Sequence, residues 1–255
     1  MSIFDAIILG ILEGLTEFLP ISSTGHLILA SHLLGLQQTD AHKTFEVSIQ
    51  LGSILAVLFL FAQRLLQSKS LWIKIIVAFL PTAIFGFLFY KTIKSLFGIE
   101  TVSVMLVIGG IILLAIEYFR RNYDESKNIS IDDLSIKQAF VIGLFQSISM
   151  VPGTSRSGST IIGGLFCGLS RKDAAQFSFL LAIPTMFVAT GYDLFKNRAT
   201  MIVDDYSLLV LGFCTAFVVA YFTVKAVMNF LTTHTFVVFG IYRIIVGLIF
   251  WYFVV

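Results

Sequence analysis

Charge is what this sequence has least of. Only 13% of its 255 residues are charged and 57% are hydrophobic, whereas a soluble domain is nearer a quarter charged and half apolar. The shortage excludes an ordinary soluble domain and implies a polytopic membrane protein with little mass outside the bilayer. Seventeen basic against fifteen acidic residues leave a net charge of +2, so no nucleic acid or other acidic polymer is implied as a partner. Cysteine is also scarce. Cys167 and Cys214 lie in apolar surroundings and read as buried free thiols with no assigned function. The opening run Ile3–Leu12 is too short, and too lightly charged before it, for a cleaved signal peptide.

What the sequence has is long apolar runs. A spanning helix needs about 20 mainly apolar residues. Six stretches qualify: Phe45–Ala62, Leu71–Tyr90, Val102–Phe119, Ala174–Leu194, Leu208–Phe230 and Phe236–Val255. Two others do not read as simple spans. Phe4–Leu36 is broken at Pro20 and Ile136–Leu169 at Pro152-Gly153, and both are polar around the break. Each is long enough for two short helices, so each reads as a re-entrant hairpin. Non-helical backbone at membrane depth is tolerated where it faces protein or a wet cavity.

The two broken stretches repeat one another. Ala6-x-x-x-Gly10-x-x-Glu13 aligns with Ala139-x-x-x-Gly143-x-x-Gln146. After a one-residue gap, Pro20-x-Ser-Ser-Thr-Gly aligns loosely with Pro152-x-Thr-Ser-Arg-Ser-Gly. The expected fold is therefore all-α, one integral membrane domain over residues 1–255, with halves at about 1–125 and 134–255. Each half is one hairpin plus three spans. Three is odd, so the second half is inverted relative to the first, as in many secondary transporters.

Lysine and arginine orient the chain. With the loop after the first span cytoplasmic, that side collects Arg64, Lys69, Lys74, Arg120, Arg121, Lys127, Lys137, Arg171, Lys172, Lys225 and Arg243. The other side keeps Lys43, Lys91, Lys94, Lys196 and Arg198. The bias of about two to one opens the first hairpin outward. The acidic stretch Asp124–Asp133 reads as a solvated linker between the halves.

The chemistry concentrates in Glu13–His26, EGLTEFLPISSTGH, with two carboxylates, four hydroxyls and a histidine. Glu13 and Glu17 are four apart and share a helix face. A surface ion pair at a helix end is the plainer reading, but apolar residues flank the pair on both sides. Carboxylates at membrane depth need a partner, hydration or a metal, and Mg²⁺ or Ca²⁺ suits all-oxygen ligands. One of Ser22, Ser23 and Thr24 serves as a helix cap. The rest exceed that need, and the new helix N-terminus suits an anion. Ser23 and His26 are three apart, a hydroxyl within reach of a base.

The second break, Pro152-Gly-Thr-Ser-Arg-Ser-Gly158, adds a permanent cation. The fork of Arg156 fits phosphate oxygens, or the residue simply neutralises Glu13 or Glu17. Thr154, Ser155 and Ser157 join the candidate phosphate-binding set, and Gln146 is placed to hydrogen-bond across the repeat axis. Glu46 and Gln50 share a face of the first span and are candidate supports. His32, His42 and His234 lie near span ends, where interfacial exposure is expected. Arg171-Lys-Asp173 reads as a loop anchor with a helix cap, and Gly109-Gly110 and Gly163-Gly164 allow close helix approach.

EGLTEFLPISSTGH and PGTSRSG resemble the two signature motifs of the bacterial undecaprenyl-diphosphate phosphatases linked to bacitracin resistance. FEVSIQLGSILAV from Phe45 and FSFLLAIP from Phe177 are similar to further stretches of that family, and the likeness covers essentially the whole chain. The resemblance implies a multi-pass enzyme of the bacterial cytoplasmic membrane with its site on the outer side. It implies removal of the terminal phosphate from a C55 polyprenyl diphosphate, recycling the lipid carrier of peptidoglycan synthesis. It also implies divalent-metal dependence and functional roles for Glu13, Glu17, Ser22, Ser23, Thr24, His26, Ser155 and Arg156.

Under this reading Ser23 is the nucleophile, with His26 or Glu17 as base; attack by water is the alternative. Arg156 neutralises charge, and Glu13 with Glu17 holds the metal. Two other functions compete. A prenyl-phosphate transporter or flippase would use the inverted repeat and Arg156 but no hydroxyl–base pair. An intramembrane serine hydrolase of peptides would have no use for this charge density. The partners implied are the lipid substrate and membrane lipids, and a homodimer is compatible with them.

Overall fold

The computed structural model describes residues 1–37, 39–96, 98–197 and 206–254. Regular structure among them is helical, apart from one isolated bridge between Ile129 and Leu169. The helices are α1 (Ile3–Thr16), α2 (Ser23–Leu33), α3 (Asp40–Gln67), α4 (Lys69–Leu88), α5 (Tyr90–Ser95) and α6 (Ile99–Phe119). A 3₁₀ turn, Glu125–Lys127, lies in the linker. Then come α7 (Ile136–Ile148), α8 (Arg156–Phe166), α9 (Arg171–Asn197), α10 (Tyr206–Phe230) and α11 (Val237–Val254). The protein is an all-α polytopic membrane protein.

Five helices, α3, α4, α6, α9 and α10, are long and apolar enough to cross a bilayer. Six were expected. The sixth, α11, is apolar but shorter. Its 18 residues rise about 27 Å, just under the roughly 30 Å of a hydrocarbon core. Val255 and Arg198, used in the expectations above, lie outside the described residues.

Both predicted breaks are present, and the two arms of each pack on one another. Pro20 and Pro152 lack the N–H that would continue a helix. The local chemistry of the two stretches matches closely. α1 starts with a capping box between Ser2 and Asp5, and α7 with one between Ser135 and Gln138. After the break, Ser22 Oγ accepts from the Gly25 N–H and Ser155 Oγ from the Gly158 N–H. Both serines sit in the left-handed region, at φ 72° and 76°. For a non-glycine residue that costs about 1–2 kcal/mol, held by the surrounding packing.

The packing between halves is reciprocal. α1 of the first half lies along α10 of the second, α7 of the second lies along α4 of the first, and α6 pairs with α11. Two repeat-related glycines make this possible. A Cβ on Gly10 would stand 2.7 Å from the Gly212 carbonyl oxygen, and one on Gly143 would overlap the Ala78 carbonyl. The main core lies between these layers and includes Phe18, Ile54, Ile75, Ile142, Phe177 and Phe179.

At the linker end, Lys74 Nζ donates to the carbonyls of Ile131 and Asp132 at 3.2 and 2.7 Å. Arg171 pairs with Glu117 at 2.7 Å, and Ser170 caps Asp173. Three sequence expectations are corrected. Arg243, counted with the cytoplasmic charges, is 1% exposed inside the bundle. Cys214 is exposed on α10 rather than buried. His32 and His234 are exposed as expected, but His42 is buried, within 2.9 Å of Ser31 Oγ and 3.2 Å of Glu46 Oε1.

Candidate active site

The two breaks meet. Glu17 caps the end of α1, and Ser23 and Arg156 are the first residues of α2 and α8. Ser23 Oγ donates to Glu17 Oε2 at 2.6 Å, and Arg156 Nη2 donates to Glu17 Oε1 at 2.8 Å. One carboxylate therefore holds a hydroxyl on one oxygen and a guanidinium on the other. Arg156 Nη1 donates to Ser178 O at 2.9 Å, and its carbon lies 5.7 Å from the Phe18 ring centroid. Phe18 is locked edge-on against Phe179. The arginine is thus fixed by an ion pair, a carbonyl and an aromatic face.

These groups line a cavity of about 180 Å³. Its walls are Glu17, Ser22, Ser23, Thr24, Gln50, Ser149, Pro152, Gly153, Ser155, Arg156 and Met186. The N-termini of α2 and α8 open onto it, with free N–H groups that suit an anion. A larger concavity, about 440 Å³, lies near Arg64 and Asp132 and contains none of the motif residues.

Several sequence candidates are elsewhere. His26 is not on the cavity wall. Its Nδ1 is 2.8 Å from Ser22 O and its Nε2 2.8 Å from Tyr242 Oη. A carbonyl only accepts, so Nδ1 carries the proton and Nε2 accepts from the phenol. Both ring nitrogens are engaged away from Ser23, whose hydroxyl goes to Glu17 instead. Gln146 is fully buried, donating to Thr82 Oγ1 at 2.9 Å and accepting from Thr185 Oγ1 at 3.3 Å. It braces α7 rather than facing the cavity. Ser157 donates to Leu19 O at 2.6 Å, tying the second break to the first. Thr154 is off the wall as well, its side-chain oxygen buried and unpartnered.

Glu13 is fully buried behind Glu17, and neither of its oxygens has a hydrogen-bond partner. Among the described residues, no third His, Cys, Asp or Glu joins the pair to make a metal-binding cluster. The donor set is a partial one for a divalent ion such as Mg²⁺ or Ca²⁺, whose other oxygens come from elsewhere. It fits the habit of Mg²⁺, which uses one or two carboxylates and draws its remaining ligands from phosphate and water. The orphaned Glu13 carboxylate is the group such an ion would satisfy.

Sequence reasoning missed Arg243. Its five N–H donors meet five carbonyls: Pro20 at 3.0 Å, Thr154 at 2.9 Å, Gly153 at 3.0 Å, Met105 at 2.9 Å and Leu106 at 3.3 Å. Gly109 leaves the space it fills, since a Cβ there would overlap the guanidinium. The available signal was the Gly109-Gly110 pair in α6, read above only as close helix approach. Ser149 and Met186 were also missed; Ser149 lies just before the Pro152 motif and Met186 just after FSFLLAIP, and neither carries a pattern of its own.

A family model described as Bacitracin resistance protein BacA matches residues 6–249. The chain belongs to the BacA family. Relatives named undecaprenyl-diphosphatase align over nearly their full length. The one from Wolinella succinogenes is 57% identical, covering 98% of this chain and 97% of its own. The one from Persephonella marina is 57% identical over the whole of both chains. That from Aquifex aeolicus is 51% identical over 98% of each. BacA membership agrees with the break motifs, which fall inside the matched range.

Proposed function

We propose that this protein is an undecaprenyl-diphosphate phosphatase: it hydrolyses the terminal phosphate of a C55 polyprenyl diphosphate to give undecaprenyl phosphate and inorganic phosphate. The observation that carries the reading is the Ser23–Glu17–Arg156 constellation, a hydroxyl, a carboxylate and a guanidinium within hydrogen-bond distance in one cavity. A pure carrier needs a cation but no hydroxyl poised on a base. The names of the BacA relatives favour the phosphatase over the transporter reading.

The cavity suits the head group alone. Pockets for drug-sized ligands run about 300–1,000 Å³, and this one is about 180 Å³. The polyprenyl tail stays in lipid. Arg156 and the two helix N-termini neutralise the diphosphate oxygens. Ser23 Oγ attacks the terminal phosphorus while its proton passes to Glu17 Oε2. A bond forms from Oγ to phosphorus, and the bridging P–O bond breaks to release prenyl phosphate. Glu17 passes that proton to the departing prenyl phosphate. Water then attacks the phosphoserine phosphorus with its proton taken by Glu17, the Oγ–phosphorus bond breaks with that proton returned to Ser23 Oγ, and inorganic phosphate leaves. Ser22, Thr24 and Ser155 supply further donors to the phosphate oxygens.

A divalent ion, when bound, would be held by Glu13 and Glu17 with diphosphate oxygens and would supply charge neutralisation. The two halves are proposed to sit inverted in the cytoplasmic membrane, with the cavity open to the outer face. Recycling the carrier there would give bacitracin resistance and support wall synthesis.

The test is phosphate release by purified protein in detergent, with no gradient, from a long-chain polyprenyl diphosphate. The phosphatase reading requires turnover by the wild type and its loss in Ser23→Ala and Glu17→Gln. Absence of release by a folded wild type would leave the carrier reading in its place.

A further inference from the structure

We infer that Arg243 is a positioning residue for phosphate release: its guanidinium fastens the carbonyls of both helix breaks and so sets Ser23 and Glu17 against Arg156. This rests on the phosphatase reading of the cavity.

The geometry is specific. Arg243 sits on α11, yet Nη1 bridges Pro20 O of the first break and Thr154 O of the second. Nη2 reaches Gly153 O in the second break and Met105 O on α6. Nε closes the set on Leu106 O. All five donors of the fork are used, and every acceptor is neutral. A buried arginine ordinarily takes a carboxylate. Three of its acceptors, Pro20 O, Gly153 O and Thr154 O, are turn carbonyls outside any helix, and the other two lie in α6.

The placement has a consequence for the site. Pro20 is three residues before Ser23 and three after Glu17, and Thr154 is two before Arg156. Moving either turn moves one member of the constellation relative to the others. Among the described residues, a further hydrogen bond between the two turns runs from Ser157 Oγ to Leu19 O at 2.6 Å. Arg243 itself is absent from the cavity wall, so its effect runs through backbone position and not through contact with the head group.

Lysine at 243 keeps the charge but has three donors on a flexible stem and no fork. It cannot span five carbonyls from two turns and α6. Displacement of reacting groups by about 1 Å costs on the order of 10²-fold in rate. The experiment compares kcat, KM, inhibition by inorganic phosphate and melting temperature for wild type, Arg243→Lys, Arg243→Met and Ser157→Ala in detergent.

The expected result is a kcat lowered at least about tenfold in Arg243→Lys and about 10²-fold in Arg243→Met. KM and the phosphate inhibition constant should change less than kcat, because every side chain of the cavity wall is retained. Wild-type kcat in a folded Arg243→Lys overturns the inference. So does a loss confined to KM, which would make Arg243 a charge felt by substrate. If both Arg243 variants fail to fold, Ser157→Ala decides: unchanged kcat overturns the inference, and lowered kcat at constant KM upholds it. A wild type that releases no phosphate defeats the phosphatase reading itself, a result distinct from any of these.

Discussion

Replacing Arg156 by lysine isolates the chemistry of the site from its folding. The guanidinium holds Glu17 Oε1 at 2.8 Å and Ser178 O at 2.9 Å while lying over Phe18. Lysine keeps the unit charge but loses the planar fork and the stacking face. It can hold Glu17 or reach a phosphate oxygen, but it cannot present two parallel donors. Removing one donor aimed at developing charge costs about 10²–10³ in rate, or about 2.7–4 kcal/mol. Folding suffers less. Alanine would strand a carboxylate whose side chain is 5% exposed, at about 3–5 kcal/mol, and would confuse lost fold with lost function. Lysine retains a cation for Glu17 and avoids most of that. The measurement is initial-rate phosphate release over a range of lipid concentrations, beside thermal melting in the same detergent. The expected outcome is kcat down about 10²-fold or more with a melting shift of a few degrees. Wild-type kcat in the lysine variant would refute the assignment of Arg156 to the transition state.

Tyr242→Phe removes the donor to His26 Nε2 and should lower kcat less than about tenfold, a neutral hydrogen bond being worth about 1 kcal/mol. Abolished turnover in that variant would return His26 to the chemical step. Gln146→Ala leaves Thr82 and Thr185 without their amide partner and should cost about 1–3 kcal/mol of stability with KM unchanged; a raised KM would restore it to the phosphate site. Gly143→Ala forces a methyl against the Ala78 carbonyl and should lower the melting temperature and the yield of folded protein through the α4–α7 contact, by about 1–3 kcal/mol. Chelation should lower turnover and Mg²⁺ or Ca²⁺ restore it, while the melting temperature without substrate stays constant because, among the described residues, no third acidic, imidazole or thiol group joins Glu13 and Glu17; full activity after chelation would remove the metal from the account.

Much of this was legible in the sequence, for physical reasons. Apolar runs of spanning length force helices, because the bilayer leaves no other way to satisfy the backbone. Polar clusters at Pro20 and Pro152 force breaks, since no lipid-facing helix would carry them. The meeting of Glu17 with Arg156 follows from the need to pair charges at membrane depth. Less could be read where one residue type serves two roles. Arg243 looked like a loop charge because a single arginine near a span end usually is one. His26 looked like a base because spacing alone does not say which way an imidazole turns. Gln146 sits at the repeat position of Glu13, but its partners Thr82 and Thr185 come from α4 and α9, far away in sequence.

The one-residue gap expected in the repeat disappears when the turns are matched by structure. Ser22 and Ser155 share the left-handed backbone and the cap to a glycine three residues on, so they are the equivalent positions. Ser22 follows Glu13 at the same separation as Ser155 follows Gln146, so the stretches align without a gap and only the proline is displaced by one position. On that alignment Ser23 and Arg156 are equivalent, each the first residue of its new helix. Both point to one carboxylate, Glu17, which the second half lacks; Met150 stands at the corresponding place four residues after Gln146. A duplicated hairpin delivers two identical turns to one place, but two identical turns cannot make a nucleophile and its electrophile-binding cation. Divergence at the first helical residue supplies that difference, hydroxyl from one copy and guanidinium from the other. The symmetric backbone explains why the two groups meet, and the broken symmetry explains why the cavity has one base and not two.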